Sequence, residues 1–276
     1  MAPSSSRPTL GGGRARLVQG WRSASASARP LPDVVIIGAQ RGGTTSLFDW
    51  LASHRSISPA FTKEVHYFDR FYANGERWYR SHFPLGARSR LTLEATPYLL
   101  FHPLAPARVA ADLPPSTRFV VLLRDPVQRA VSHYWHSRRI GAEDEPLAVA
   151  LDLAREEQRL AGEEAVVLAG GESPAYRNFS YRARGRYGEQ LRRWYDAVDP
   201  ARMLVMPSEE LWGDPDGPGR VLSWLGLSPH AVPFPATNDA PRGSAEDDAL
   251  LTELRRYFAP YDEDLFSVLG RRLWQR

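Results

Sequence analysis

The chain of 276 residues contains no cysteine. This absence excludes disulfide bonds, thiolate zinc sites and cysteine nucleophiles, and it leaves the redox compartment open. No apolar run approaches the roughly 20 residues that a membrane helix needs, so we expect no bilayer span. The formal net charge of +3 is too small to indicate a nucleic-acid partner.

Lysine is almost absent as well. Of the 35 basic residues only Lys63 is a lysine, and the other 34 are arginines. Such a bias is typical of a compositional trend in the source genome. Under that trend arginine often stands where related chains carry lysine, so a surviving lysine gains interest.

Acidic residues are missing from the first 32 positions, which are rich in Ser, Ala, Gly and Pro and include five arginines. This composition, without a sustained hydrophobic period, predicts a disordered N-terminal extension over residues 1–32. We therefore assign the folded domain to residues 33–276, a length that suits one large α/β unit.

Short apolar, β-branched runs alternate with helical patterns along this domain. Strands are predicted at Val34–Ile37, Leu91–Glu94, Arg118–Leu123 and Met203–Met206, and helices at about 45–52, 127–138, 147–163, 187–198, 218–225 and 246–258. The run at 118–123 is apolar through its middle, as expected of a strand buried on both faces. The alternation predicts an α/β fold of the P-loop type, with a mostly parallel sheet flanked by helices on both faces.

A glycine-rich loop, Gly38–Ser46, joins the first strand to the first helix. Its backbone N–H groups and the helix N-terminus favour a phosphate or sulfate group. We expect Arg41, Gly42, Gly43, Thr44, Thr45 and Ser46 to contact that group. The loop departs from the ATP-binding Walker A pattern because Thr44 occupies the lysine position, which weakens the alternative of a nucleotide kinase or NTPase.

A second anion cradle follows the strand at 118–123. Arg124 stands at its carboxyl end, Asp125 can cap the next helix, and Ser132 lies two turns into that helix. Ligands of open α/β sheets bind at this edge, and the arginine fork suits two phosphate oxygens. A nucleoside with phosphate at both ends would use both cradles.

Three segments occur in a fixed order, namely Ile36–Thr45, then Lys63–Asp69 with Trp78–Pro84, and then Leu122–Tyr134. Together they resemble the sulfotransferases that use 3′-phosphoadenosine-5′-phosphosulfate (PAPS), and most of all the branch of the heparan sulfate N- and 3-O-sulfotransferases and bacterial relatives. The resemblance implies a sulfotransferase fold and in-line transfer of a sulfuryl group from PAPS to a hydroxyl or amine. It implies no metal.

The resemblance also assigns roles. Arg41, where the family usually has lysine, would place a cation on the leaving oxygen, and Glu64 would be the base, with His66 as the alternative. Arg124 and Ser132 would bind the 3′-phosphate, and the short match Arg242-Gly243-Ser244 would close over it. Tyr187 would either help to hold the donor or pack in the core. Lys63 would contact the sulfate, pair with Glu64 or lie on the surface.

The acceptor has no readable code in the sequence. A carbohydrate, a glycolipid or a secondary metabolite would each fit, and a heparan-like acceptor is disfavoured because Ala95 stands where the heparan enzymes carry a lysine. Eukaryotic relatives are anchored in Golgi membranes, whereas this chain shows no anchor, so we expect a cytoplasmic enzyme. A non-catalytic nucleotide-binding module is the remaining alternative.

Overall fold

Five parallel strands form the centre of the protein in a computed structural model that describes residues 20–86, 90–235 and 245–275. The strands are β1 (Val34–Gly38), β2 (Ile57–Pro59), β3 (Leu91–Ala95), β4 (Arg118–Leu123) and β5 (Met203–Pro207). Their order in the sheet is β2-β3-β1-β4-β5, and every neighbouring pair is parallel. The predicted fold class is confirmed.

Helices connect the strands and cover the sheet. They are α1 (Thr44–Ala52), α2 (Gly75–Arg80), α3 (Ala105–Asp112), α4 (Pro126–Arg139), α5 (Leu147–Ala150), α6 (Leu153–Leu160), α7 (Glu163–Leu168), α8 (Pro174–Phe179), α9 (Tyr187–Ala197), α10 (Ser208–Gly213), α11 (Gly217–Trp224) and α12 (Ala245–Leu269). Within the described residues, none of these helices is both long and apolar enough to cross a membrane.

The side chains of β1 alternate between two hydrophobic cores, one on each face of the sheet. Val35 and Ile37 belong to a core that includes Trp194 of α9, whereas Val34 and Ile36 belong to the opposite core, with α1 and α11. Because successive side chains of a strand point to opposite faces, a strand that is apolar at every position must be covered on both sides.

The helix predicted over residues 147–163 is broken into α5, α6 and the start of α7. Asp152 accepts a hydrogen bond from the Arg155 amide and so begins a new helix at α6. Gly162 then adopts a left-handed conformation, with φ of 77°, before α7. Both residue types favour helix ends over helix interiors, and they interrupt an amphipathic pattern that otherwise continues.

The N-terminal boundary of the folded domain lies earlier than predicted. Ala26–Ala28 forms a 3₁₀ turn, and Ala26 and Arg29 are buried. The Arg29 guanidinium donates to the Phe83 carbonyl at 2.5 Å, and Arg80 donates to the Arg29 carbonyl at 2.6 Å. The prediction of disorder through residue 32 is therefore wrong for these residues, because a few long-range bonds order a segment whose average composition is typical of disorder.

Candidate active site

The glycine loop after β1 is held against the neighbouring strands by backbone hydrogen bonds. The Ala39 amide donates to the Leu122 carbonyl of β4 at 2.7 Å. The Ser208 hydroxyl, which follows β5, donates to the Gly42 carbonyl at 2.7 Å. The loop therefore lies at the carboxyl edge of the sheet, where the parallel-sheet rule places ligands.

Two positions in this loop accept only glycine. A Cβ on Gly42 would lie 2.6 Å from the Leu122 carbonyl oxygen, and a Cβ on Gly43 would lie 1.7 Å from the ring of Trp212 in α10. Gly43 also has a φ of 86°, which residues with a side chain rarely adopt. Helix α1 begins at the next residue, where Thr44 is buried, Ser46 is half-buried and Thr45 is exposed.

The two predicted anion cradles are in direct contact. Arg41, with a φ of 71°, donates from Nε to the Ser132 hydroxyl of α4 at 3.0 Å. Burial lowers the pKa of Arg41, and the positive charges of Arg139, Arg124 and Arg129 lower it further. The loop and α4 thus share one group of positive charges. We call it the arginine cluster, and its members are Arg41, Arg124, Arg129 and Arg139.

Arg124 is placed by its neighbours on both sides. Its Nη2 donates to the Gln128 side chain at 3.2 Å, and the buried Tyr187 donates from its hydroxyl to the Arg124 carbonyl at 2.9 Å. In this structure Tyr187 therefore supports the backbone of Arg124 from the core. Asp125 caps α4 as expected, by accepting from the Gln128 amide at 3.0 Å. The predicted residues Arg242, Gly243 and Ser244 lie outside the described residues.

Arg129 and Arg139 belong to the arginine cluster but have no role in the sequence analysis, and Arg129 is the buried one of the two. It is fully buried, and its Nη2 donates to the Tyr181 carbonyl. Its Nε and Nη1 have no hydrogen-bond partner among the described residues. A buried guanidinium with free donors is costly unless an anion completes it. The spacing of three from Ser132 was the available signal, because it places both residues on one helix face.

Glu64, His66 and Asp69 form a chain of charged contacts beside the glycine loop. Lys63 Nζ lies 2.6 Å from one Glu64 carboxylate oxygen, and His66 Nε2 lies 3.5 Å from the other. On its far side, His66 Nδ1 lies 2.6 Å from Asp69 Oδ2. The sequence offered Glu64 and His66 as alternative bases and a Lys63–Glu64 pair as one option, but it did not indicate the partner role of Asp69.

These contacts decide the charges of Glu64 and His66. Burial alone would raise the pKa of Glu64, but the hydrogen bonds from His66 and Lys63 and the Lys63 charge outweigh it and lower the pKa to about 2. Burial would lower the pKa of His66, but its bonds to Asp69 and Glu64 outweigh it and raise the pKa to about 9. At neutral pH, Glu64 is therefore a carboxylate and His66 an imidazolium, which already carries its proton.

Arg184 connects the segment before α9 to the glycine loop. It is buried, lies 4.6 Å from the centre of the Tyr98 ring, and donates to the Gln40 side chain. Burial lowers the pKa of Arg184 to about 10. The sequence reasoning did not find this contact, because 144 residues separate Arg184 and Gln40 along the chain and no local pattern reports their proximity.

Comparison with known proteins gives consistent matches. The family model described as "Sulfotransferase domain" matches residues 31–231. The human heparan sulfate glucosamine 3-O-sulfotransferase 6 is 28% identical over 268 residues, which cover 88% of this chain and 73% of the relative. The mouse 3-O-sulfotransferase 3B1 is 28% identical over 286 residues, which cover 89% of this chain and 65% of the relative.

Among solved structures, this chain is similar to a sulfotransferase from Alicyclobacillus acidocaldarius. The TM-score is 0.67 at 27% sequence identity, and the match covers 88% of this chain and 98% of the other. The similarity in fold thus extends over nearly the whole length of that protein.

Proposed function

Because this chain belongs to the sulfotransferase family, we propose that it transfers a sulfuryl group from PAPS to a hydroxyl or amine of its acceptor. The contact between Arg41 and Ser132 supports PAPS as the donor. It joins the two predicted anion cradles within one arginine cluster. PAPS carries phosphate groups on both sides of its ribose, and a cluster with two cradles matches that distribution of charge.

The arginine cluster fits an anionic donor on a second observation. The free Nε and Nη1 donors of buried Arg129 lack a partner among the described residues, and a phosphate oxygen is the acceptor that a guanidinium prefers. Arg124 and Ser132 would bind the 3′-phosphate beside it. The 5′ end would lie at the N-terminus of α1, whose free backbone amides favour an anionic group.

Arg41 would stabilise the leaving group. As the acceptor oxygen bonds to sulfur, the bond from sulfur to the bridging oxygen breaks, and that oxygen departs with negative charge. A guanidinium placed there neutralises this charge but keeps its own proton, because arginine side chains in proteins stay protonated. Charge stabilisation, rather than proton donation, is therefore the role that this residue supports.

Glu64 would take the proton from the acceptor. The raised pKa of His66 leaves that residue protonated at neutral pH, so it is a poor base and serves better to orient the carboxylate. A carboxylate with a lowered pKa is itself a weak base. The acceptor proton becomes acidic as the new bond to sulfur forms, and we therefore expect its transfer late in the reaction.

The acceptor would approach Glu64 past the end of α4, which carries positive charge. Burial lowers the pKa of His136 in α4, and the charges of Arg41, Arg139 and Glu64 also act on it, so these side chains lie near one another. Arg139 donates to His136 Nδ1 at 3.0 Å. The exposed indole of Trp135 precedes it. A carbohydrate that carries acidic groups fits this surface. The relatives named for heparan sulfate support the same class, although fully buried Ala95 offers no cation where those enzymes have lysine.

The donor is tested by calorimetric titration with adenosine 3′,5′-bisphosphate and, separately, with ATP plus magnesium. We expect micromolar binding of the bisphosphate without metal, and at least tenfold weaker binding by Arg124→Ala, the loss of one charge-assisted pair. Arg118→Ala is the matched control, because Arg118 lies at the opposite end of the same strand. Binding of ATP with magnesium but not of the bisphosphate would overturn the proposal in favour of a kinase-like enzyme.

The reaction is tested with PAPS labelled in the sulfuryl group and a panel of acceptors. The panel includes heparan sulfate, other acidic polysaccharides, glycolipids and small alcohols. Glu64→Gln should bind the bisphosphate normally and lose transfer by at least about a hundredfold. Binding of the bisphosphate without transfer to any acceptor would point to a non-catalytic module. A cytoplasmic location stays a proposal, for which fractionation of cells that produce the full chain is the test.

A further inference from the structure

Two amides of the segment 64–66 donate to residues at the carboxyl end of β3. The Glu64 amide donates to the Ala95 carbonyl at 2.9 Å. The His66 amide donates to the Thr96 hydroxyl at 3.4 Å. The segment 64–66 is therefore attached to the end of β3 at its first and last residues.

The backbone of this segment needs such attachment. Glu64 has a φ of 60° and His66 a φ of 57°, both in the left-handed region that residues with a side chain rarely occupy. Such conformations persist where surrounding bonds enforce them, and they are concentrated at functional sites. The conformation also decides where the Glu64 and His66 side chains point, because each left-handed residue redirects the chain.

Glu94 and Thr96 are built as a pair. Both are buried, and the Thr96 hydroxyl donates to Glu94 Oε1 while its oxygen accepts from the His66 amide. The other carboxyl oxygen of Glu94 has no partner among the described residues. Thr96 thus contacts the backbone of residues 64–66 directly, and Glu94 acts on that segment by holding the Thr96 hydroxyl.

We propose that Glu94 and Thr96 are positioning residues, which hold residues 64–66 in the conformation that brings the Glu64 carboxylate and the His66 ring together. The proposal rests on the function of Glu64 proposed above. It predicts that removal of either acceptor separates Glu64 from His66 without any change in the arginine cluster. Donor binding should therefore stay normal while the catalytic step becomes slower.

The test is an NMR titration of the histidine side chains in the full chain, with the His66 signal assigned by comparison with His66→Gln. The imidazolium of His66 is stabilised by Glu64 and Asp69 in the native geometry. Thr96→Val keeps the volume and removes the hydroxyl, and it should lower the His66 midpoint by at least about one pH unit. Thr96→Ser, which restores the hydroxyl, should return the midpoint to the wild-type value.

A second pair of variants tests Glu94 in the same way. Glu94→Gln keeps an oxygen that can accept from the Thr96 hydroxyl, so the His66 midpoint should remain near the wild-type value. Glu94→Leu removes both acceptors and should lower it as Thr96→Val does. If Glu94→Leu fails to fold, the threonine variants still decide the question.

Thr92→Val is the matched control for a general loss of stability. Thr92 lies at the other end of β3, is buried, and donates to the Asp33 carboxylate at 2.7 Å. Its replacement should lower the thermal stability but leave the His66 midpoint unchanged. An unchanged midpoint in both Thr96→Val and Glu94→Leu would overturn the proposal, and so would an equal shift in Thr92→Val.

This titration needs neither donor nor acceptor, so its outcome is independent of the proposed function. Where the wild type transfers a sulfuryl group, Thr96→Val should lower kcat by about tenfold, with an unchanged Kd for adenosine 3′,5′-bisphosphate. A wild type that transfers no sulfuryl group, together with the expected midpoint shifts, would refute the proposed function alone. Active enzyme with unshifted variants would refute the positioning role alone.

Discussion

At the scale of single residues, Arg41 is the position where this chain departs from the lysine that its family usually has. Its guanidinium donates a hydrogen bond to Ser132, and the charges of three further arginines act on it. A guanidinium offers several donors in a fixed plane, whereas an ammonium offers a compact charge. The two can neutralise the same oxygen, but they do not make the same contacts with Ser132.

Substitution of Arg41 separates charge from shape. Arg41→Lys keeps the charge, and we expect its kcat to stay within about tenfold of the wild type. Arg41→Gln removes the charge and should lower kcat by about 100- to 1,000-fold, as measured for the loss of one group that stabilises developing charge. Initial rates with labelled PAPS measure both. Arg138→Gln is the control, because Arg138 is an exposed arginine on α4, the helix that carries Ser132. Full activity of Arg41→Gln would contradict the role.

The sequence predicted which residues meet at the site better than it predicted how they are held. Arg41, Ser132 and Arg124 lie together because the carboxyl ends of parallel strands share one edge, a rule that needs only the order of elements. The partner role of Asp69 and the buried, incompletely paired state of Arg129 depend on side-chain packing across distant segments. No periodic pattern encodes such contacts.

At the scale of elements, helix α10 closes one side of the glycine loop. Trp212 of α10 packs against Gly43, and the ring leaves no space for a side chain at that position. The shape of the glycine loop therefore depends on a helix that follows β5, more than 160 residues after the loop.

A pair of glycine substitutions tests this packing. Gly43→Ala places a methyl group in the Trp212 ring and a side chain at a φ of 86°, so we expect a loss of about 2–4 kcal/mol in the free energy of unfolding and weaker bisphosphate binding. Gly219→Ala in α11 meets no atom within 4 Å and should be neutral or slightly stabilising. Urea denaturation measures both. Equal stability of the two variants would contradict the packing argument.

Long or strongly apolar elements were predictable, and short ones were not. The strands at β1 and β4 and the helices α4 and α9 follow from continuous patterns in the sequence. Strand β2 has three residues, and α8 and α10 have six each. Elements of that length gain most of their stability from packing against neighbours, so their own sequence carries a weak signal.

At the scale of the whole molecule, three ionisable groups of the site change the stability of the protein, each in a different pH range. The lowered pKa of Glu64 adds stability above pH 4.5 that is lost as pH falls towards about 2. The raised pKa of His66 adds stability below pH 6.5 that is lost as pH rises through about 9. Glu94 acts in the opposite sense between them, because burial raises the pKa of this carboxyl from 4.5 to about 7.

Glu94→Gln tests the contribution of Glu94 to stability between pH 4.5 and about 7. The native state holds a proton on Glu94 that the unfolded chain releases, so the wild type loses stability as pH rises from 4.5 through 7. The variant has no such proton. Its stability relative to the wild type should therefore rise by about 2–3 kcal/mol between pH 5 and pH 8. Urea denaturation at several pH values measures the difference, and a constant difference would contradict a neutral Glu94.

The buried Arg29 has a practical consequence for anyone who shortens the chain. A protein that starts at Asp33, the limit that composition alone suggests, would lose the guanidinium that satisfies the Phe83 carbonyl and the carbonyl that receives Arg80. It would also uncover Phe61, against which Arg22 is stacked at 3.7 Å, two residues before Lys63. Truncation for crystallisation or for expression trials should therefore stop before Gly20, so that the catalytic segment keeps its support.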